Sequence, residues 1–461
     1  SGLIDTGMSW RQAMLTIFLG NTIVLLPMLL NAHAGAKYGI PFPVFARASF
    51  GVLGSNVPAL LRALVACGWF GIQTWIGGTA LFAVVGALLM TLTGGNDGWT
   101  NAATISLGIG DAAAQPWTMW LSFAIFWALN IMIILWGMEA IKRFESWAAP
   151  LLIIVFLALM GWMVIQAGGF GPVVEESGTL GWGPDFWKIF PLSLMGMIAF
   201  WSTLSLNMPD FTRFGRSQRE QAIGQTLGLP TTMTLFPLVG VLTTSATVIV
   251  FGESVWDPVD LTSRLDNPFA LVIMLVALAL ATLSTNVAAN VVSPSYDFSN
   301  AWPSKISFRT GGIITGILGI IIQPWNLLAD ANSYIFTWLG TYGGATGAIA
   351  GVLIADYWLI RRKNLKLADL YRTEGVYRYA KGWNWIAVLA LVVGVVMAIG
   401  GANSGLDANG VTTGPFPVDG IIGFLKPFYD YSWVVGLIVS FVIYWLLTIT
   451  VGRKHVEAQT S

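Results

Sequence analysis

The 461-residue chain is 55% hydrophobic and 10% charged, with Lys+Arg balanced by Asp+Glu, whereas soluble domains carry about 25% charged residues. Such a composition excludes an ordinary water-exposed globular surface, and zero net charge excludes a global field that would attract nucleic acid. A single cysteine, Cys67, excludes an intrachain disulfide and a cysteine metal cluster.

Eleven apolar runs are long enough to be membrane spans: 12-31, 57-92, 116-138, 147-167, 187-207, 222-251, 267-293, 311-327, 333-359, 383-401 and 431-451. An all-α membrane protein follows, because only helices and closed barrels satisfy their backbone within lipid. Nineteen of the twenty-three cations fall in alternate connections or the C-terminal tail. They include Lys37, Arg47 and Arg62 after span one, Arg213, Arg216 and Arg219 after span five, and seven from Arg361 to Lys381 after span nine. The positive-inside rule makes that face cytoplasmic, so the C-terminus is cytoplasmic and residue 1 is external. The start SGLIDTGMSW does not begin with Met and has no basic stretch and no signal-peptide core. Five spans occupy 187 to 359 and only four precede them; two inverted five-helix repeats therefore predict a further helix ahead of this chain.

Span two holds LVACGWFGIQTWIGG, in which Trp69 and Gln73 are four apart and share one helix face. An aromatic plate with an amide one turn away suits a flat, hydrogen-bonding solute. The plainer reading of a membrane tryptophan is an interfacial anchor, but Trp69 lies about a dozen residues into its span. Span five, FPLSLMGMIAFWSTLSLNMPDFTRF, mixes Gly196, Ser202, Ser205 and Asn207 with Trp201 and ends at Pro209, a pattern expected of a discontinuous helix or of a simple helix end.

Span seven is apolar until residue 281 and then carries Thr282, Ser284, Thr285, Asn286 and Asn290. The hydroxyls of Ser284 and Thr285, with the carbonyl of Ala281 one turn earlier, suit a hard monovalent cation; hydroxyl bonding between helices is the alternative. Asn286 and Asn290 present two amides on one face, as ligand contacts or as interhelical glue. In span nine, Gly340, Gly343, Gly344, Gly347 and Gly351 allow close packing or a gating bend near 340 to 344.

No phosphate-binding G-x-x-x-x-G-K-[ST] occurs, which argues against transport driven by ATP within this chain. The histidines, His33 and His455, stand at a span end and in the tail, leaving an embedded enzyme without catalytic groups and the chain without a cofactor. Asp210, Asp297 and Asp356 lie at span ends, none mid-span where a proton relay would stand, which favours Na+ over H+ coupling.

The stretches NAHAGAKYGIPFPVFARASFG, GWFGIQTWIGG, LNMPDFTRFG, LSTNVAANVVSPSYDFSN and IADYWLIRRKNLKLADLY resemble the nucleobase:cation symporter-1 family, across nearly the whole chain. The resemblance implies a leucine-transporter-like fold of two inverted five-helix repeats plus two helices, with eleven of twelve spans present and the first absent. On that reading 1-186 is the remainder of the first repeat, 187-360 the second, and 361-461 a cytoplasmic loop and the last two helices of one transmembrane domain. It further implies that Trp69 and Trp201 sandwich a heterocycle, that Gln73 and Asn290 hydrogen-bond it with Asn286 close by, and that Ala281, Ser284 and Thr285 bind Na+. The expected protein is a monomer in a bacterial inner membrane that imports a hydantoin, allantoin or nucleobase with Na+. Proton-coupled nucleobase transport and an ion-independent facilitator stay open as alternatives.

Overall fold

A computed structural model describes residues 2–94, 98–108, 111–136, 138–175, 178–265, 267–329, 333–405 and 414–452. The C-terminal tail, with Arg453, Lys454 and His455, lies outside them. Among the described residues eight helices are long and apolar enough to cross a membrane, and three shorter apolar helices accompany them, at 153–166, 308–321 and 385–399. All eleven coincide with the eleven spans expected from hydropathy.

The chain packs as two units, each assembled from separated segments. The first comprises Ser1–Met14, Ala63–Gly181 and Phe236–Ala331, the second Leu15–Arg62, Trp182–Leu235 and Asn332–Ser461. In chain order the elements used below are α1 (Trp10–Tyr38), α2 (Phe42–Phe50), α3 (Asn56–Thr93), α4 (Trp117–Trp136), α5 (Met138–Gln166), α6 (Pro184–Thr212), α7 (Gln218–Phe251), α8 (Pro258–Ser263), α9 (Pro268–Asn290), α10 (Val292–Ala301), α11 (Phe308–Ile321), α12 (Gly340–Ile354), α13 (Trp385–Ile399) and α14 (Ser432–Thr450).

In the first unit α9 packs on α5 and α4, and α11 on α4 and α10. Glycine permits the closest approach there: a Cβ on Gly71 of α3 would press into the backbone of Gly319 of α11. Phe70, Phe126, Ile134, Leu283 and Val287 form its apolar centre. A two-stranded hairpin, Thr104–Ser106 with Ala114–Pro116, stands beside a buried aromatic group of Trp75, Trp120, Phe123 and Trp325.

In the second unit α12 packs against α14, α6 and α13. Side chains on Gly347 and Gly351 would run into the carbonyls of Trp433 and Leu437 on α14, so this glycine repeat serves close packing. α12 is flanked by segments of wider, π-type winding, Ser333–Leu339 and Ala355–Ile360, so the winding changes at Gly340, where a gating bend was expected.

The expected discontinuity in span five is not present: α6 runs unbroken through Trp201, with Pro209 inside its last turns. Proline removes the donor that would reach the carbonyl four residues back, that of Ser205. Asn31 of α1 supplies the replacement, its Nδ2 donating to Ser205 O at 2.8 Å. The same device recurs on α7, where Pro237 strips the donor from Met233 O and Asn21 Nδ2 donates there at 2.9 Å.

Candidate functional site

The first unit contains Trp69 and Gln73 on α3 and Ala281, Ser284, Thr285, Asn286 and Asn290 on α9. What joins these helices is Asn286, which is fully buried. Its Nδ2 faces three acceptors: Phe70 O at 3.2 Å, Thr74 Oγ1 at 3.1 Å and Asn130 Oδ1 at 3.1 Å. Asn130 of α4 anchors itself on Phe126 O at 2.8 Å, and Thr74 on Phe70 O at 2.6 Å. Asn286 Oδ1 in turn accepts from Asn290 Nδ2 at 3.0 Å. The Asn286 amide is thereby saturated, and its place in the unit is to bind α9 to α3 and α4 and to orient Asn290.

Asn290 keeps its own carbonyl oxygen and one amide proton without a partner among the described residues, and is half-buried. Gln73 is half-buried too, and none of the hydrogen bonds among the described residues engages its amide. Trp69, one turn before Gln73, is 8% exposed. Sequence reasoning missed Asn130 and Thr74, although a lone amide within the apolar span three was a usable signal.

Hydroxyls in membrane helices ordinarily bond back to a carbonyl one turn earlier, as Thr74, Thr243 and Ser295 do here. Those of Thr282, Ser284 and Thr285 have no such partner among the described residues. Ser284 is 5% exposed as a residue, and Thr285 beside it is exposed. Two neutral hydroxyls and a carbonyl fit a monovalent cation better than a transition metal. Among the described residues no group of three or more His, Cys, Asp or Glu is placed to hold a metal ion.

Trp201 belongs to the second unit, half-buried on α6 and set edge-on to Phe200 with ring centroids 5.4 Å apart. Just before it, the carbonyl of buried Ala199 accepts from Tyr342 Oη at 2.9 Å and from Ser202 Oγ at 2.8 Å. Ser202 Oγ also lies 2.8 Å from Thr346 Oγ1 of α12.

Two of the span-end carboxylates have structural tasks in this unit. Asp210 Oδ1 accepts from Phe42 N at 2.7 Å, closing the N-terminus of α2. Asp356 Oδ2 pairs with Arg361 Nε at 2.7 Å and accepts from Ser49 Oγ at 2.9 Å, while its Oδ1 accepts from Tyr444 Oη at 2.7 Å. The pair is almost fully buried. Burial pulls the Arg361 pKa down, but Asp356 outweighs it and leaves the guanidinium above its ordinary value.

Apolar spanning helices around a partly unsatisfied polar cluster define a multi-pass membrane transporter. Residues 1–436 match the family described as permease for cytosine/purines, uracil, thiamine, allantoin, and the chain belongs to that family. It is 41% identical over 461 residues to the allantoin permease of Bacillus subtilis (strain 168), spanning 100% of this chain and 87% of that protein. The purine-uracil permease NCS1 of Arabidopsis thaliana is 38% identical over 467 residues, 100% of this chain and 73% of the relative. Among solved structures, Mhp1, a nucleobase-cation-symport-1 family transporter in a closed conformation with bromovinylhydantoin bound, has a TM-score of 0.74 at 25% identity, covering 100% of this chain and 91% of its own. The fold is leucine-transporter-like.

Proposed function

We propose that this permease is a secondary active transporter that takes up a small planar nitrogen heterocycle together with Na+ by alternating access. The observation that carries the reading is the set of polar groups left open on the two helices that Asn286 joins: the Gln73 amide one turn from Trp69, and the outer edge of Asn290. A flat ring stacks on the Trp69 indole while its imide or ureide edge exchanges hydrogen bonds with Gln73 and Asn290. Trp201 stays in the proposal as a second substrate-facing aromatic. The cation belongs at Ala281 O, Ser284 Oγ and Thr285 Oγ1, and it raises substrate affinity by favouring the binding-competent state.

The substrate proposed first is allantoin or a related hydantoin, supported by the identity to an allantoin permease and by the hydantoin held in Mhp1. Two inverted repeats, with 187-360 as the second, a monomer, a bacterial inner membrane and a cytoplasmic C-terminus complete the reading. A competition screen of allantoin, hydantoins, uracil, cytosine and purines against the purified transporter tests the cargo. Strongest displacement by allantoin or a hydantoin is expected, and displacement by purines alone overturns that choice.

A further inference from the structure

We infer that the loop ahead of α13 is a binding site for the phosphate diester headgroup of an anionic membrane lipid. The site is a concavity of about 730 Å³ lined by Arg378, Tyr379, Ala380, Lys381, Trp383 and Trp385. It is built by a two-residue hairpin. Ala380 and Trp383 exchange backbone hydrogen bonds at 3.1 and 3.2 Å, and Lys381 (φ 55°) and Gly382 (φ 95°) form the left-handed corner. That turn thrusts the Lys381 ammonium outward, and among the described residues it has neither an acceptor nor an ion-pair partner.

Arg378 is exposed and pairs with Glu374 on its own loop, which leaves other guanidinium donors free for a phosphate oxygen. Trp383 and Trp385 stack at 5.3 Å with their planes 11° apart. Neither indole N–H has a partner among the described residues, and Trp385 is 59% exposed. Trp385 is also the first residue of the apolar helix α13, so the cavity lies at the end of an apolar helix, where a headgroup layer would stand. Interfacial indoles with paired cations at such a boundary match a lipid phosphate above its glycerol and acyl chains.

Headgroup binding there has a route into the unit. The hairpin carbonyl of Gly382 accepts from Leu53 N at 2.9 Å and Gly54 N at 3.0 Å, and Asn384 N donates to Phe50 O at 2.8 Å. Tyr379 Oη donates to Ala48 O at 2.6 Å and accepts from Arg361. A lipid that fixes the hairpin therefore stiffens the α2–α3 connection and the Asp356–Arg361 pair.

The test is a thermal-unfolding titration of the full chain in neutral detergent with dioctanoyl phosphatidylglycerol, dioctanoyl phosphatidylcholine or inorganic phosphate. Saturable stabilisation by the glycerol lipid alone is expected. Its apparent affinity should fall about fivefold for each cation removed in Lys381→Ala and Arg378→Ala. The variant R378K/K381R, which preserves charge, should keep the effect and guards against a folding defect in the alanine variants. Equal stabilisation by phosphatidylcholine, an undiminished response in the double alanine variant, or equal protection by inorganic phosphate overturns the assignment.

Discussion

Asn290 donates to Asn286 Oδ1 at 3.0 Å, so the two amides that share a face of α9 divide the labour between framework and ligand. Asn286 spends both protons and its oxygen inside the unit, whereas Asn290 retains an open edge. Asn290→Ala is therefore expected to weaken heterocycle binding about tenfold, the loss of one buried hydrogen-bonding partner, with little change in melting temperature. Asn286→Ala is expected to lower stability by about 1–3 kcal/mol, because Thr74, Asn130 and Phe70 lose a shared donor. Thermal unfolding and ligand titration on both variants check the division; equal stability losses contradict it.

The carbonyl of Ser205 offers a second test. Asn31→Ala should strand it, costing about 1–3 kcal/mol. Pro209→Ala restores the helical N–H, so the double variant should be less destabilised than the sum of the two, with a coupling on the order of 1 kcal/mol. Simple additivity in a melting-temperature cycle contradicts the role assigned to Asn31.

For the buried Asp356–Arg361 pair, Asp356→Ala leaves a guanidinium buried and unpaired, and a loss of about 3–5 kcal/mol is expected. The raised Arg361 pKa fixes the sign of the pH dependence. A base whose folded pKa is raised contributes stability that is complete below its ordinary value and is lost only as pH rises through the folded one. This pair should therefore be insensitive to pH across the neutral and mildly alkaline range, which a melting series measures.

Asp257 caps α8, its Oδ1 accepting from Val259 N at 2.7 Å and Asp260 N at 3.1 Å. Burial nevertheless raises its pKa, ahead of the lowering by those two bonds. A carboxylate with a raised pKa stabilises below its ordinary value of 3.8, and that contribution is lost as pH rises through the folded value. At neutral pH Asp257→Asn, which keeps the cap without the charge, should match or exceed the native melting temperature, while Asp257→Ala should cost about 1 kcal/mol.

Much of this was legible in the sequence, for identifiable reasons. Hydropathy over about twenty residues marks a span whatever its neighbours, and eleven such runs became eleven apolar helices. The polar end of α9 stood out because polar groups are costly at membrane depth. The continuity of α6 was not legible, because the group that compensates Pro209 is Asn31, which bonds Ser205 O from 174 positions earlier in the chain. Asn130 escaped for the same reason: its role depends on Asn286, which lies 156 residues away. The 361–382 loop reads only as basic; its hairpin and its seat on Leu53 and Gly54 are tertiary facts.

The proposal of cation-coupled uptake rests on Ser284 and Thr285, whose hydroxyls make no bond to the helix that carries them. Its most direct test is calorimetric titration of a hydantoin or allantoin with and without Na+, at constant ionic strength and pH, in the native protein and in S284A/T285A. The expected result is an affinity about tenfold higher with Na+ in the native protein, within the range of ordinary coupling energies, and no Na+ effect in the double variant. An affinity indifferent to Na+ in the native protein contradicts sodium coupling.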